Sequence, residues 1–275
     1  MRFGLDISQH QLSWVQILRR ARLAEELGFD GAWVFDHFKP LYGDSGGPCL
    51  EGWSLLAALA ASTSTIRLGS LVTGITYRHP SVLAAQALTV DHVSNGRLEL
   101  AVGAAWFEEE HRELGINFPP APERIERLEE AVQVIKLLMT MDHISFPGLH
   151  YRLDGASMRP RPLQRPYPPL WVGGGGERMM LPAVARIADM WHGFGPVEDL
   201  TRKSKLIDEF AEQAGRNPSA IGRASDLSIS ERRVEVEGRI ESLALAGFSY
   251  LTVSWPELGQ ARVEEFAQEL MPAYT

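Results

Sequence analysis

The feature that most constrains this chain is its alternation of two hydrophobic periods. Short β-rich runs and helical patterns succeed one another eight times along 275 residues. Arg2 to Ile7 reads as a strand; Trp14, Ile17, Leu18, Ala21 and Ala24 then recur at helical spacing up to a stop at Gly28. Ala32 to Phe35 is a second strand, followed by a nearly all-apolar helix from Trp53 to Ala61. Ile66 to Val72 is a third strand, and Pro80 suits the first turn of a helix that runs to about Val93. Arg97 to Val102 is a fourth, and Ile125, Leu128, Val132, Ile135 and Met139 mark a long amphipathic helix. Further on, strands at Leu170–Val172, Asp189–His192, Ile221–Ile229 (weak) and Tyr250–Ser254 alternate with helices at Arg178–Ala188, Asp199–Ala214, Val234–Ala246 and Val263–Leu270.

Strands separated by helices pair in parallel through right-handed crossovers. Eight such units in a length close to the roughly 250 residues of one barrel predict an α/β fold, a (β/α)8 TIM barrel, as a single domain over residues 1–275. The alternative is an open doubly wound sheet, and no GxGxxG follows the first strand to support its dinucleotide-binding form. The alternation pauses at Asp142 to Pro169. This proline-rich stretch predicts an irregular insertion between helix 4 and strand 5, with a short hairpin around Phe146 to Tyr151.

Composition narrows the class of function. Formal charge is −8 and no basic run exceeds two residues, which argues against a nucleic-acid partner. The longest strongly apolar stretch, Trp53 to Ala61, is too short to span a membrane. The N-terminus carries no signal-peptide pattern, and the lone Cys49 allows no internal disulfide, so a cytoplasmic location is expected.

In a barrel, function belongs to the loops after the C-terminal ends of the strands. Asp36-His37 follows the second strand: an acid beside an imidazole can set its tautomer and tune its pKa. Neighbours on an extended chain point opposite ways, so only one of the two need face a pocket; the alternative is a plain turn. Thr73 and Gly74, at the end of the third strand, offer a hydroxyl and close backbone approach. Gly103-Ala104-Ala105-Trp106 follows the fourth strand, where three small residues would let a flat ligand reach the backbone and an indole could cover it. Glu108-Glu109-Glu110-His111 reads as the exposed start of a helix rather than a metal site, and no metal is expected. Gly173-Gly174-Gly175-Gly176 joins the fifth strand to a helix starting near Glu177. Free N–H groups converging there would hold a phosphate, the alternative being a simple linker. Arg159, Arg161 and Arg165 upstream would meet an anionic cofactor tail or stay solvated.

Four segments in this order and spacing resemble the luciferase-like monooxygenase superfamily, in particular its branch dependent on the deazaflavin coenzyme F420. They are AEELGFDGAWVFDHF at 24–38, TIRLGSLVTGITYRHPSVLAAQALTVDHVSNGRLELAVGAAW at 65–106, EEEHRELGI at 108–116 and PPLWVGGGGERMMLPAVARIADMWH at 168–192. The resemblance implies a flavin-like ring at the strands' C-terminal ends, bound by Ser70, Leu71, Val72, Thr73, Gly103, Ala104, Ala105 and Trp106. It also implies a non-prolyl cis peptide at Ser70-Leu71 or one residue later, and a cofactor phosphate on Gly173, Gly174, Gly175, Gly176 and Glu177. It makes His37, with Asp36, the catalytic pair, His37 lying near the ring's reactive carbon.

The activity implied is hydride transfer between coenzyme F420 and a small organic substrate. The alternative is an FMN-dependent monooxygenase fed by a separate reductase, and from another class a non-catalytic cofactor-binding barrel. A homodimer is the family expectation. Two departures argue against the family's sugar-phosphate dehydrogenases: Leu41 stands where they carry a Trp, and Trp106 aligns with their catalytic Glu.

Overall fold

The computed structural model describes residues 1–275. In chain order its first elements are β1 (Arg2–Asp6), α1 (Trp14–Glu26), β2 (Gly31–Val34), α2 (Gly52–Ser62), β3 (Arg67–Ser70), β4 (Thr73–Gly74), α3 (Pro80–Val93) and β5 (Leu98–Gly103). Then come α4 (Glu108–Leu114), α5 (Ala121–Thr140), an antiparallel hairpin of β6 (Ile144–Pro147) and β7 (Arg152–Ala156), β8 (Leu170–Gly173), α6 (Met180–Ile187), β9 (Met190–Gly193) and α7 (Val197–Gln213). The chain closes with β10 (Gly222–Leu227), α8 (Arg233–Leu245), β11 (Tyr250–Ser254) and α9 (Gln260–Glu265).

The sheet runs β3-β2-β1-β11-β10-β9-β8-β5-β4 with every pairing parallel, and β3 also pairs with β5, so it closes on itself. The expected (β/α)8 barrel is what forms, and the open sheet is excluded. β3 and β4 are the two halves of one staggered strand, separated at a cis peptide between Leu71 and Val72. That bond is one residue beyond Ser70-Leu71 and within the expected span.

Parallel strands are covered on both faces, so they read as nearly continuous buried runs such as GAWV and LELAVG. Outward residues join a 60-residue core shared with the helices. Inward residues fill the barrel: Trp33, Ala101, Trp171, Met190, Ala224 and Tyr250 form a separate cluster. Its polar edges are paired, with Trp33 Nε1 donating to Tyr250 Oη at 3.0 Å and Trp171 Nε1 to Glu99 Oε2 at 2.6 Å. Gly4 and Gly69 make room for this cluster, because a Cβ on either would lie 2.3–2.4 Å from Trp33.

The weak pattern at 221–229 is a full strand, β10, paired with both β9 and β11. The insertion at 142–169 holds the expected hairpin, shifted outward to Ile144–Ala156. Its second half lies across the N-terminal end of the barrel. Leu163 N–H donates to Asp91, and Gln164 bridges Leu98 O and Arg67, both at strand starts. Arg159 and Arg161 pair with Asp142. These arginines are therefore at the end opposite the strands' C-termini, and the expectation that they meet a cofactor tail is corrected.

Arg97, buried ahead of β5, ties the end of α2 to β3. Its guanidinium donates to the carbonyls of Ala60, Thr63, Ile66 and Ser94 and to Thr63 Oγ1. Arg97→Met would strand those acceptors, so a loss of about 3 kcal/mol in chemical denaturation is expected. A loss under about 0.5 kcal/mol would show that water replaces the guanidinium there.

Candidate active site

A cavity of ≈ 430 Å³ opens at the C-terminal end of the barrel. The loop after β2 lines it with Phe35, His37, Leu41 and Tyr42. The β3–β4 junction and the turn beyond it add Leu71, Val72, Gly74 and Tyr77. Gly103 to Trp106 come from β5, Gly173, Gly174 and Met180 from β8 and α6, and Phe194 from beyond β9. Strand register places Gly74, Gly103 and Gly173 side by side. Val72 fills the space two of these glycines leave, since a Cβ on Gly103 would stand 2.7 Å from it and one on Gly173 2.8 Å. Gly103 was expected to admit a flat ligand and Gly173 a phosphate; what both admit directly is Val72, and Val72 with Leu71 then forms the wall.

His37 is buried within this wall. Its Nδ1 lies 2.9 Å from Glu110 Oε2 and 3.3 Å from Tyr77 Oη, and Tyr77 Oη also donates to Glu110 Oε2. Glu110 Oε1 accepts the backbone N–H groups of Phe38 at 2.8 Å and Lys39 at 3.1 Å. Burial pushes the Glu110 carboxyl up, but hydrogen bonds from His37, Tyr77 and Phe38, with the charge of His37, hold it below the usual carboxylate range. Tyr77 is pushed up by burial and by Glu110, so it remains a neutral donor. An ionised carboxylate can only accept, so Nδ1 carries a proton toward Glu110, and in the neutral ring it is Nε2 that keeps the lone pair.

Asp36 does not partner His37. It turns the other way, as alternation on an extended chain requires, and forms a two-pronged pair with Arg78 at 2.5 and 2.9 Å. Arg78 also reaches Glu51, which caps α2 through Trp53 and Ser54 N–H. Burial pushes the Asp36 carboxyl up, opposed by Arg78. Asp36 is thus a strut joining two loops, outside the cavity lining.

The acidic run behaves as expected only in part. Glu108 and Glu109 are exposed, whereas Glu110 and His111 are buried. His111 Nε2 is 2.6 Å from Thr76 Oγ1 and its ring stacks on Tyr77 at 4.7 Å, which fixes the phenol. Phe107, Glu110 and His111 follow the i, i+3, i+4 spacing of one inward helical face, a signal that could have revealed the partner of His37. Tyr77, Arg78 and Phe194 were also missed; each lies just beyond a strand end.

Ser70 and Thr73 are buried behind the cavity wall, Thr73 Oγ1 accepting from Trp53 Nε1 at 3.0 Å. Ala105, with φ 60°, is a left-handed non-glycine residue on the lining. In the glycine run, Gly173 and Gly174 line the cavity while Gly175, Gly176 and Glu177 lead away from it. Helix α6 begins at Met180 rather than near Glu177, because Leu181 N–H bonds back to Gly176 O and leaves 177–179 as a turn. The N–H groups of Gly175, Gly176 and Glu177 donate to no other protein group. Lys203 of α7 stands over them, its Nζ 3.1 Å from where a Cβ on Gly175 would be. Free N–H groups beneath a cation fit an anionic phosphate. Glu177 pairs with Arg202 at 2.8 Å.

Glu110→Gln tests the polar network. An amide can donate as well as accept, so the imidazole tautomer is no longer imposed, and turnover should fall roughly 10–10²-fold. The native network, with its lowered carboxyl, should hold at neutral pH and weaken only as pH falls below the usual carboxylate range. The variant should lose that acid limb in a pH–rate profile; an unchanged profile would remove Glu110 from the network.

Comparison with known proteins gives concordant results. The model of the family described as luciferase-like monooxygenase matches residues 1–248. The chain is 35% identical over 239 residues to an F420-dependent glucose-6-phosphate dehydrogenase of Microbacterium testaceum, covering 84% of this chain and 68% of that one. It is 29% identical over 241 residues to an FMNH(2)-dependent dimethylsulfone monooxygenase of Pseudomonas putida, covering 86% and 64%. Among solved structures, an F420-dependent secondary alcohol dehydrogenase superposes with a TM-score of 0.90 at 21% identity, covering 100% of this chain and 99% of that one.

Proposed function

This chain belongs to the luciferase-like monooxygenase family, and from that premise we propose that it is an oxidoreductase that transfers a hydride between coenzyme F420 and a small organic molecule. The observation that carries the proposal is the pairing, at one end of the barrel, of a glycine turn suited to phosphate with a buried imidazole. That imidazole keeps one nitrogen free in an apolar cavity. The F420-dependent relatives support the choice of coenzyme.

A bound deazaflavin supplies a carbon-centred hydride donor or acceptor that reacts poorly with oxygen. The chain's own residues then have four tasks. The N–H groups of Gly175 to Glu177, unbonded within the protein and beside Lys203, would hold the phosphate. Leu71 and Val72 present a shaped apolar wall. His37 Nε2 takes a proton from, or gives one to, the substrate oxygen as hydride leaves or arrives. Glu110 and Tyr77 hold the imidazole in place and balance its charge when it is protonated. Apolar lining around these groups excludes water, which strengthens each of the electrostatic terms.

An FMN-dependent monooxygenase is the second reading, favoured by the Pseudomonas putida relative. Native mass spectrometry after incubation with coenzyme F420 or FMN separates the two. One retained F420 per 30.6 kDa chain, with weaker retention of FMN, is expected. Preferential retention of FMN would favour the monooxygenase, and retention of neither would remove the cofactor site.

A further inference from the structure

A cavity with no fixed charge on its walls selects for ligands that carry none. No Lys, Arg, Asp or Glu lines this one. Cations on the surrounding loops are engaged: Lys39 pairs with Glu113, and Arg78 with Asp36 and Glu51. Lys203 stands at the glycine turn.

The rim is aromatic instead. Tyr42, Trp106 and Phe194 are 71%, 66% and 57% exposed although they are large apolar side chains lining a cavity. Three different loops supply them, and each ring is braced by another. Tyr42 stands edge-on to His10 at 5.8 Å, Trp106 stacks on Phe107 at 5.1 Å, and Phe194 stands edge-on to His192 at 4.6 Å. Scattered exposed aromatics need no explanation, but three braced rings converging on one cleft do. Such rings grip flat, apolar molecules by offset or edge-on stacking.

Resting on the reading that this cavity serves a hydride-transferring coenzyme, we propose that its substrate is an uncharged aromatic or alicyclic carbonyl compound, or the alcohol paired with it, and not a phosphorylated sugar. In the reducing direction the carbonyl carbon gains the hydride and its two electrons from the reduced deazaflavin. The C=O π pair moves to oxygen, and oxygen takes the proton that Nε2 carries in the imidazolium form of His37, leaving the neutral ring with its Nδ1 proton toward Glu110. Alcohol oxidation is the reverse. A phosphate monoester would bring a charge of about −1.5 to −2 into a cleft with no cation on its walls and a carboxylate behind His37. Its lost hydration would go uncompensated.

The test is binding of acetophenone and of glucose 6-phosphate, followed by saturation-transfer NMR on the protein with and without coenzyme F420. Acetophenone should give transfer from the aromatic rim and glucose 6-phosphate none. The double variant Tyr42→Ala/Phe194→Ala should weaken acetophenone binding about tenfold. Binding of glucose 6-phosphate in preference, or binding of neither, overturns the proposal, as does a double variant that binds acetophenone as wild type does. Failure of coenzyme F420 to bind in the same tubes would overturn the oxidoreductase reading separately, because acetophenone binding is read without coenzyme as well.

Discussion

His37→Ala is expected to cut turnover by roughly 10²–10⁴-fold while coenzyme affinity stays within several-fold. The imidazole is the one acid–base side chain of its kind on the cavity wall, and its Nε2 is free because Glu110 engages Nδ1. Removing the ring should not unravel the loop. Glu110 would keep the Tyr77 hydroxyl and the Phe38 and Lys39 N–H groups as donors, so no buried carboxylate is stranded. The loss should therefore fall on kcat rather than on folding, with an unchanged Tm as the control. If turnover barely changes, His37 is a packing residue. If affinity collapses together with turnover, it belongs to the coenzyme site rather than to the chemical step.

Gly175→Asp should raise the coenzyme dissociation constant by well over tenfold, or more than about 1.4 kcal/mol. The new carboxylate would lie within reach of Lys203 and would place a negative charge over the free N–H groups of the turn. The backbone tolerates the change: Gly175 is not at positive φ, and the nearest atoms a Cβ would meet all belong to the end of a flexible lysine. Gly174, at φ 141° and against Met180, would not be so clean a test. Lys203→Ala should act in the same direction, more weakly and with a salt dependence. Unchanged affinity in Gly175→Asp, measured by fluorescence titration, would refute the placement of the phosphate.

The architecture was legible because the strands had to be apolar on both faces and most helices on one, so short continuous apolar runs stood apart from stretches of helical spacing. Even the weak strand read at 221–229 forms, as β10 over Gly222–Leu227, paired on both sides. Among site residues, His37, Leu71, Val72, Gly103 to Trp106, Gly173 and Gly174 do line one cavity, all at the ends of strands.

What sequence proximity suggested, and three-dimensional geometry corrected, was pairing. Asp36 is adjacent to His37, yet the carboxylate that engages the ring is 73 residues away. Asp36 instead pairs 42 residues on, with Arg78. Backbone direction sends neighbouring side chains apart and only tertiary packing brings the true partners together. The basic stretch at Arg159 to Arg165 shows a different lapse. A segment that enters a strand must lie at the barrel's N-terminal end, which topology alone could have settled. Lys203 had no signal of its own, since one lysine on a polar helix face looks like any other.

The central claim is hydride transfer without oxygen, and isotope transfer tests it most directly. The protein would be incubated anaerobically with reduced coenzyme F420 deuterated at its hydride-bearing carbon and with a series of uncharged ketones, acetophenone among them. Mass spectrometry of the product alcohol is expected to show one deuterium on the carbinol carbon for each coenzyme oxidised. An alcohol without label, or product that forms only when oxygen is admitted together with reduced FMN, would contradict the account.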